Sequence, residues 1–420
     1  MNFSLSSISS ASFQLLVKVL VLLVTAIRPG VLLAQIDSAR VLSDIRFLAD
    51  DLNEGRAAGS AGERKAATFV ISEFNKLKLQ PRGDNATFLQ RFSFNKGVHG
   101  QGESAESANL VAYLDNQAAT TVIIGAHYDH LGIDGQGSSL EANPAMKIHH
   151  GADDNASGVA GVLELARYFS HNNVQEKNNF LFICFSAEEL GLLGSKYFTE
   201  HPTIVLSQVN YMINMDMVGR LDRATRNLYV SGTGTSPVWQ PLLKRMSTPE
   251  LVIKMDSSGS GPSDHTSFYL KDIPVLHFFT GSHVDYHKPS DDWSKINANG
   301  EAKVLDLIIR MISSPMTEQK LTFLKTRSKT VAGRSSFKVT LGIMPNYAGG
   351  DDGLKVDGVS DGRPAQKAGM LTGDVIIEMG TFKISNIDDY MNALGRFEKG
   401  QSVPVKVKRA EKVLKLTVIF

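Results

Sequence analysis

From Ile36 to about Ile312, short runs of unbroken apolar residues alternate with longer stretches whose apolar positions recur every three or four residues. The segment AGERKAATFVISEFNKLKL, after a start rich in Gly and Ser, puts Ala66, Phe69, Val70, Phe74 and Leu77 on one face of a helix. The runs TTVIIGAH, NNFLFICFSA, VNYMINMDMVG and IPVLHFFTG are short and continuously apolar, which predicts strands buried on both faces. Between the first two, SGVAGVLELARYF carries Val159, Val162, Leu163 and Ala166 on the buried side of a second helix. Strand, helix and strand in that order predict an α/β fold with a mainly parallel central sheet and helices on both faces.

The pattern changes at both ends. Residues 1–34 include FQLLVKVLVLLVTAI, an apolar stretch short for a bilayer span, and VLLAQ, which offers small Ala34 before Gln35. They read as a signal peptide and imply export to the periplasm or medium; a retained N-terminal membrane anchor is the alternative. No other long apolar run follows, so no membrane span is expected in the mature chain. The α/β domain is assigned to 35–315 and a polar, basic linker to 316–334. A small β/α module is assigned to 335–420: VPVKVKRAEKVLKLTVIF alternates Val403, Val405 and Val407 with polar neighbours, turns at Ala410-Glu411, and returns through Leu414, Leu416 and Val418. Before it, NIDDYMNALGRF places Ile387, Tyr390, Met391 and Leu394 on one helical face, with Asn386 as cap.

A chain of 420 residues with 42% hydrophobic content can bury a full core in two or three domains. Its net charge of +1 gives no reason to expect nucleic acid as a partner. The single cysteine, Cys184, lies within an apolar run and reads as a core residue.

In a sheet of this kind ligands gather beyond the carboxyl ends of the strands. Each predicted strand ends in, or soon meets, metal-ligating side chains. TTVIIGA leads to His127 and Asp129, FLFICFSA to Glu188 and Glu189, VNYMINM to Asp216, and IPVLHFFTG to the loop with His283, Asp285 and His287. The helix entry GADDNASG adds Asp153 and Asp154, and Asp154, Asn155 or Ser157 is expected to cap the helix in the same loop. Packing alone would not draw so many ionisable groups toward a core. Imidazoles with carboxylates and no thiolate suit zinc or a related first-row ion. Two ions need a shared ligand, and Asp153 is the candidate bridge.

GAHYDHLG, GADDNASG, FSAEELGLLGS, NMDMVG and DYHKPSD, in this order and spacing, resemble the M28 family of zinc aminopeptidases over roughly residues 38–312. The resemblance implies a zinc-exopeptidase-like fold that binds two Zn2+ ions and takes peptide substrates. It implies that His127, Asp153 and Asp216 hold one ion and that Asp153, Glu189 and His287 hold the other. Asp129 would orient the His127 imidazole, and Glu188 would be the general base. Ser263, Asp264 and His265 in GPSDHTSF match a family loop near the site and imply contact with substrate or with the ligands, with capping of a turn as the alternative. His130 reads as structural or pocket-lining, His149 and His150 as exposed loop residues, and His283 and Asp285 as shaping the loop that presents His287.

The C-terminal module resembles a PDZ domain. KVTLGIMP is similar to the carboxylate-binding loop and GRPAQKAGMLTGDVIIEMG to a stretch common in bacterial members. The resemblance implies that N-H groups around Leu341, Gly342 and Ile343 cradle the C-terminus of a peptide or protein partner. A module that only packs against or covers the catalytic domain is the alternative, and the Gly-rich, acidic loop NYAGGDDG bears on the groove. Three functions are open at this point. The leading one is an exported dizinc aminopeptidase; the others are a carboxypeptidase or glutaminyl cyclase on the same fold, and a non-catalytic receptor-like protein.

Overall fold

The computed structural model describes residues 36–96, 103–141, 143–326, 339–345, 353–359, 362–385, 387–410 and 412–420. The expected signal peptide and its cleavage site, the Asn386 cap, Glu411 of the hairpin turn, residues 327–334 of the linker and residues 346–352 of the Gly-rich loop lie outside them. No helix among the described residues is long and apolar enough to cross a membrane.

Helix α1 (Ser38–Leu48) is capped by Asp37, and α2 (Ala61–Lys76) by Ser60, whose side chain accepts from Glu63 N. Nine strands form the first sheet: β1 (Gln80–Pro81), β2 (Leu89–Asn95), β3 (Ser104–Leu114), β4 (Thr121–His127), β5 (Asn179–Phe185), β6 (Val209–Met215), β7 (Asn227–Ser231), β8 (Val252–Met255) and β9 (Val275–Phe279). Their order is β1-β3-β5-β4-β6-β9-β7-β8, with β2 also on β3. The four strands anticipated from the sequence are the central ones, β5-β4-β6-β9, and all their pairings are parallel. The flanks are antiparallel at β1–β3, β2–β3, β3–β5 and β7–β9, and the edge strand β8 pairs parallel with β7, so the whole sheet is mixed.

Alternation along the central strands splits their side chains between two cores. Ile124, Phe182, Ile213 and Phe278 pack with α1, α2, α3 (Gly158–His171) and the long helix Ala298–Ile312. Ile123, Leu181, Ile183 and Met212 pack on the opposite face with Phe198 of α4 (Leu193–Glu200) and Phe268 of the short helix His265–Tyr269. Cys184 is fully buried and burial pushes its thiol pKa far up, as befits a core residue. Phe69 is only half-buried and stacks on Phe47, with ring centroids 4.2 Å apart.

Residues 316–326, expected to be linker, instead run along this domain. Thr317 is fully buried, Leu321 joins the core, and Asn210 accepts from Leu321 N (2.8 Å) while donating to Gln319 O (3.1 Å).

Glu63 shows how burial tunes a carboxyl here. It accepts from Gly59 N (2.6 Å) and from the hydroxyls of Ser107 and Ser186, and burial pushes its pKa up to about 7. A raised carboxyl favours the neutral form in the folded state. Its contribution to stability is therefore complete below the unfolded value near pH 4.5 and is lost as pH rises through about 7. Glu63→Gln should remove that loss. Denaturation at pH 5 and pH 8 should show a wild-type decline exceeding the variant's by about 3 kcal/mol, from 1.36 kcal/mol per pKa unit. Equal slopes would refute the assignment.

The second sheet comprises β10 (Ile343–Pro345), β11 (Leu354–Val359), β12 (Val375–Met379), β13 (Phe382–Lys383), β14 (Ser402–Arg409) and β15 (Lys412–Ile419). Its order is β10-β11-β12-β14-β15 with β13 on β12, and every pairing is antiparallel. The hairpin has the expected register, Val403 opposite Val418, Val405 opposite Leu416 and Val407 opposite Leu414. These valines share a separate core with Leu341, Val356, Ile376, Tyr390 and Leu394.

Candidate metal centre

The carboxyl ends of β4, β5 and β6 open into one cleft of about 480 Å³. Its lining includes His127, Asp154, Glu188, Glu189, Asp216 and His287 beside Met217, Phe279 and Tyr286; no Lys or Arg is among them.

His127 ends β4. Its Nδ1 lies 3.2 Å from the backbone carbonyl of Asp129 and 3.7 Å from that residue's Oδ1, which leaves Nε2 facing the cleft. There Nε2 is 3.4 Å from Asp154 Oδ1, 3.5 Å from Asp216 Oδ1 and 3.9 Å from Glu188 Oε2. His287 repeats the arrangement from the other side. Its Nδ1 is 3.1 Å from Ser138 O, and its Nε2 is 3.3 Å from Asp154 Oδ2 and 3.2 Å from Glu189 Oε2.

The acidic residue between the two imidazoles is Asp154, which corrects the expectation of Asp153. The side chains of adjacent residues diverge, and the extended backbone of Asp154 (φ −105°, ψ 91°) turns its carboxylate into the cleft. Asp153 is held behind the wall, accepting from Gly219 N (2.7 Å) and lying 3.2 Å from His283 Nε2. Both backbone N-H groups, of Asp153 and Asp154, donate to Asp291 Oδ2 (3.0 and 3.1 Å). The capping expectation for this loop falls to Asn155, whose Oδ1 accepts from Gly158 N (3.0 Å) at the start of α3.

Glu188 and Glu189 form a turn after β5, not the start of a helix. The buried Asp129 carboxylate organises it, with Oδ1 accepting from Glu188 N (3.1 Å) and Oδ2 from Glu189 N (3.4 Å). Glu189 reaches His287 and also His130 Nδ1 (2.8 Å). Burial pushes the Glu188 carboxyl well above the usual range; neighbouring carboxylates add to this and His127 opposes it. For His127 burial acts downward, but Glu188 and Asp216 prevail and hold the imidazole well above its ordinary value.

Asp216 follows β6, and the Ser263 hydroxyl donates to its Oδ2 (2.7 Å). Asn214 Nδ2 donates to Ser263 in turn (2.7 Å). Of the three residues expected from this loop, Ser263 reaches the site, whereas Asp264 and His265 are fully buried and do not line the cleft. Burial lifts the Asp264 carboxyl to about 7, and the His265 ring stacks on His277 at 4.5 Å. His149 is buried against Ser139 rather than exposed, and His150 contacts Asp51 and the Pro289 carbonyl. His283 and Asp285 both contact Arg220, consistent with shaping the loop.

The donor set fits metal ions. Ligands on one tetrahedral ion at about 2.0–2.1 Å lie about 3.3–3.4 Å apart, and the imidazole-to-carboxylate distances for His127 and His287 with Asp154, Asp216 and Glu189 fall at 3.2–3.5 Å. Each imidazole has Nδ1 occupied by a backbone carbonyl, the arrangement that leaves Nε2 free to ligate. Four carboxylates against two imidazoles, with no Lys or Arg in the lining, leave negative charge for bound cations to compensate.

In the C-terminal domain Leu341 is buried and its carbonyl accepts from Ala365 N (2.9 Å). Gly342 sits at φ +73°, favourable only to glycine, with Arg363 packed where a Cβ would project. Its N-H is taken by Thr340 Oγ1 at 3.1 Å, so one of the three expected amides has a partner within the chain.

Residues 109–312 match peptidase family M28 and residues 337–420 match the PDZ domain family. Aminopeptidase YwaD of Bacillus subtilis is 30% identical over 51% of this chain; the chain covers only 45% of YwaD, about half its length. The uncharacterized protein YfbL of Escherichia coli is 30% identical over 49% of this chain and 70% of its own. A Zn-dependent exopeptidase from Parabacteroides distasonis has the same fold, with TM-score 0.54 and 16% identity over 67% of this chain and 99% of its own.

Proposed function

The chain belongs to peptidase family M28 and ends in a PDZ domain, and from that premise we propose that it is an exported dizinc aminopeptidase. The observation that carries this reading is the Asp154 carboxylate, with one oxygen toward His127 and the other toward His287. His127, Asp154 and Asp216 would hold one zinc ion, and Asp154, Glu189 and His287 the second. Bound zinc lowers the pKa of water and polarises a carbonyl. Glu188 takes the proton of the attacking water and passes it to the departing amine. Its burial keeps the carboxyl basic, while the ions when bound draw its pKa back down. Asp129 holds the amides of Glu188 and Glu189 in one orientation. Met217, Phe279 and Tyr286 exclude water and offer an apolar wall to the substrate.

Export rests on the apolar segment before Ala34. The PDZ domain is proposed to hold a peptide C-terminus at Leu341, Gly342 and Ile343, with Thr340 rotating away from the Gly342 amide.

A peptide panel tests the reading. The zinc-loaded mature protein should release residues one at a time from peptides with free N-termini and leave N-acetylated ones intact. Amidating the peptide C-terminus should spare cleavage but weaken binding to the PDZ domain. Cleavage from the carboxyl end would select a carboxypeptidase. Loss of ammonia from an N-terminal Gln without cleavage would select a glutaminyl cyclase, and no turnover at all a receptor-like protein.

A further inference from the structure

Arg56 is 1% exposed, yet no carboxylate among the described residues accepts a hydrogen bond from it. Its guanidinium donates four bonds to backbone carbonyls: Nε to Tyr128 (3.0 Å), Nη1 to Leu48 (2.7 Å) and His150 (2.8 Å), and Nη2 to Gly151 (2.9 Å). Tyr128 directly follows His127, and Gly151 stands three residues before Asp154. The backbone adds to the connection. Arg56 O accepts from His130 N (3.1 Å) and Gly55 O from Gly132 N (2.9 Å). Gly55 itself, at φ +67°, has no room for a side chain, since a Cβ would lie 2.5 Å from His149 O and 2.8 Å from Gly132 Cα. Residues 55 and 56 are thus wedged between the two loops that carry His127 and Asp154.

We propose that Arg56 is a positioning residue for the metal centre: its planar fork fixes the separation of these two loops, and so presets the distance between His127 and Asp154 before an ion binds. This rests on the metal-binding reading above. Charge and geometry predict opposite outcomes. A buried cation beneath the site repels a second cation, so if charge were its role, neutralising it would tighten zinc binding. If the fork positions the loops, removing it loosens zinc binding whatever the charge. Lysine keeps the charge but offers one nitrogen in place of a rigid fork, and cannot meet four carbonyls on three segments.

The experiment compares the full chain with its Arg56→Lys and Arg56→Gln variants. Zinc affinity is measured by chelator competition, the absorption spectrum is recorded with cobalt(II) in place of zinc, and melting is followed without metal. Both variants should melt cooperatively, bind zinc about 10–100-fold more weakly and show altered cobalt spectra. Wild-type affinity and spectrum in Arg56→Lys would overturn the proposal, as would tighter zinc binding by Arg56→Gln. Loss of cooperative melting in Arg56→Lys would also overturn it, because the residue would then hold up the fold at large. Failure of the wild-type protein to bind zinc would strike instead at the metal-binding reading itself.

Discussion

Asp154→Asn should yield a folded protein that retains neither zinc ion tightly and has lost peptide turnover by more than about 10²-fold, beyond the range for groups that only support ligands. An amide has one good ligand oxygen, whereas the Asp154 carboxylate offers Oδ1 toward His127 Nε2 and Oδ2 toward His287 Nε2. The informative control is its neighbour. Asp153→Asn removes a charge that faces Gly219 N and His283, behind the cleft wall. It should keep both ions and stay within about tenfold of wild-type turnover, the lower scale of effects from groups that support ligands. Metal content measured on both proteins decides the matter: loss of zinc from the Asp153 variant with retention in the Asp154 variant would reverse the assignment.

Glu188→Gln should keep both ions and lose about 10²–10⁴ in kcat, the range for removing a general base. Glu189→Gln should instead lose affinity for the ion shared with His287, because its Oε2 stands 3.2 Å from that imidazole. Turnover in the Glu189 variant should then recover in part as zinc is raised, while in the Glu188 variant it should not. Identical metal content and identical zinc dependence in the two would dissolve the proposed division of roles.

The centre of the sheet was legible because strands covered on both faces must be apolar at nearly every position. The flanks were not. β2 alternates, with Gln90, Phe92 and Phe94 buried and Arg91, Ser93 and Asn95 exposed, while β1 has two residues and β3 opens on the polar SAES. The strand ends announced the site, since His127, Asp216 and the Glu188–Glu189 pair each follow an apolar run. Within GADDNASG the two aspartates are indistinguishable by type, and only the backbone at Asp154 decides which of them faces the cleft. The GPSDHTSF loop was legible as a neighbour of the site, but only packing separates Ser263, whose hydroxyl holds the Asp216 carboxylate, from the fully buried Asp264 and His265. Arg56 gave no signal, because DLNEGRAAG reads as a polar loop and a side chain serving backbone carbonyls leaves no motif.

The segment after the last helix of the catalytic domain bears on how that domain is to be cut out. Asn210 is fully buried, and its amide is served by the backbone of Thr317 (3.3 Å), Gln319 (3.1 Å) and Leu321 (2.8 Å). A stop codon placed at 316, where composition turns polar, would strip those three bonds and remove Leu321 from one core and Phe323 from the core on the opposite face of the sheet. Each orphaned polar group would cost about 1–3 kcal/mol. The useful boundary lies beyond residue 326, about ten residues later than the change in composition suggests, and a fragment trimmed at the earlier point would fail for reasons unrelated to loss of the PDZ domain.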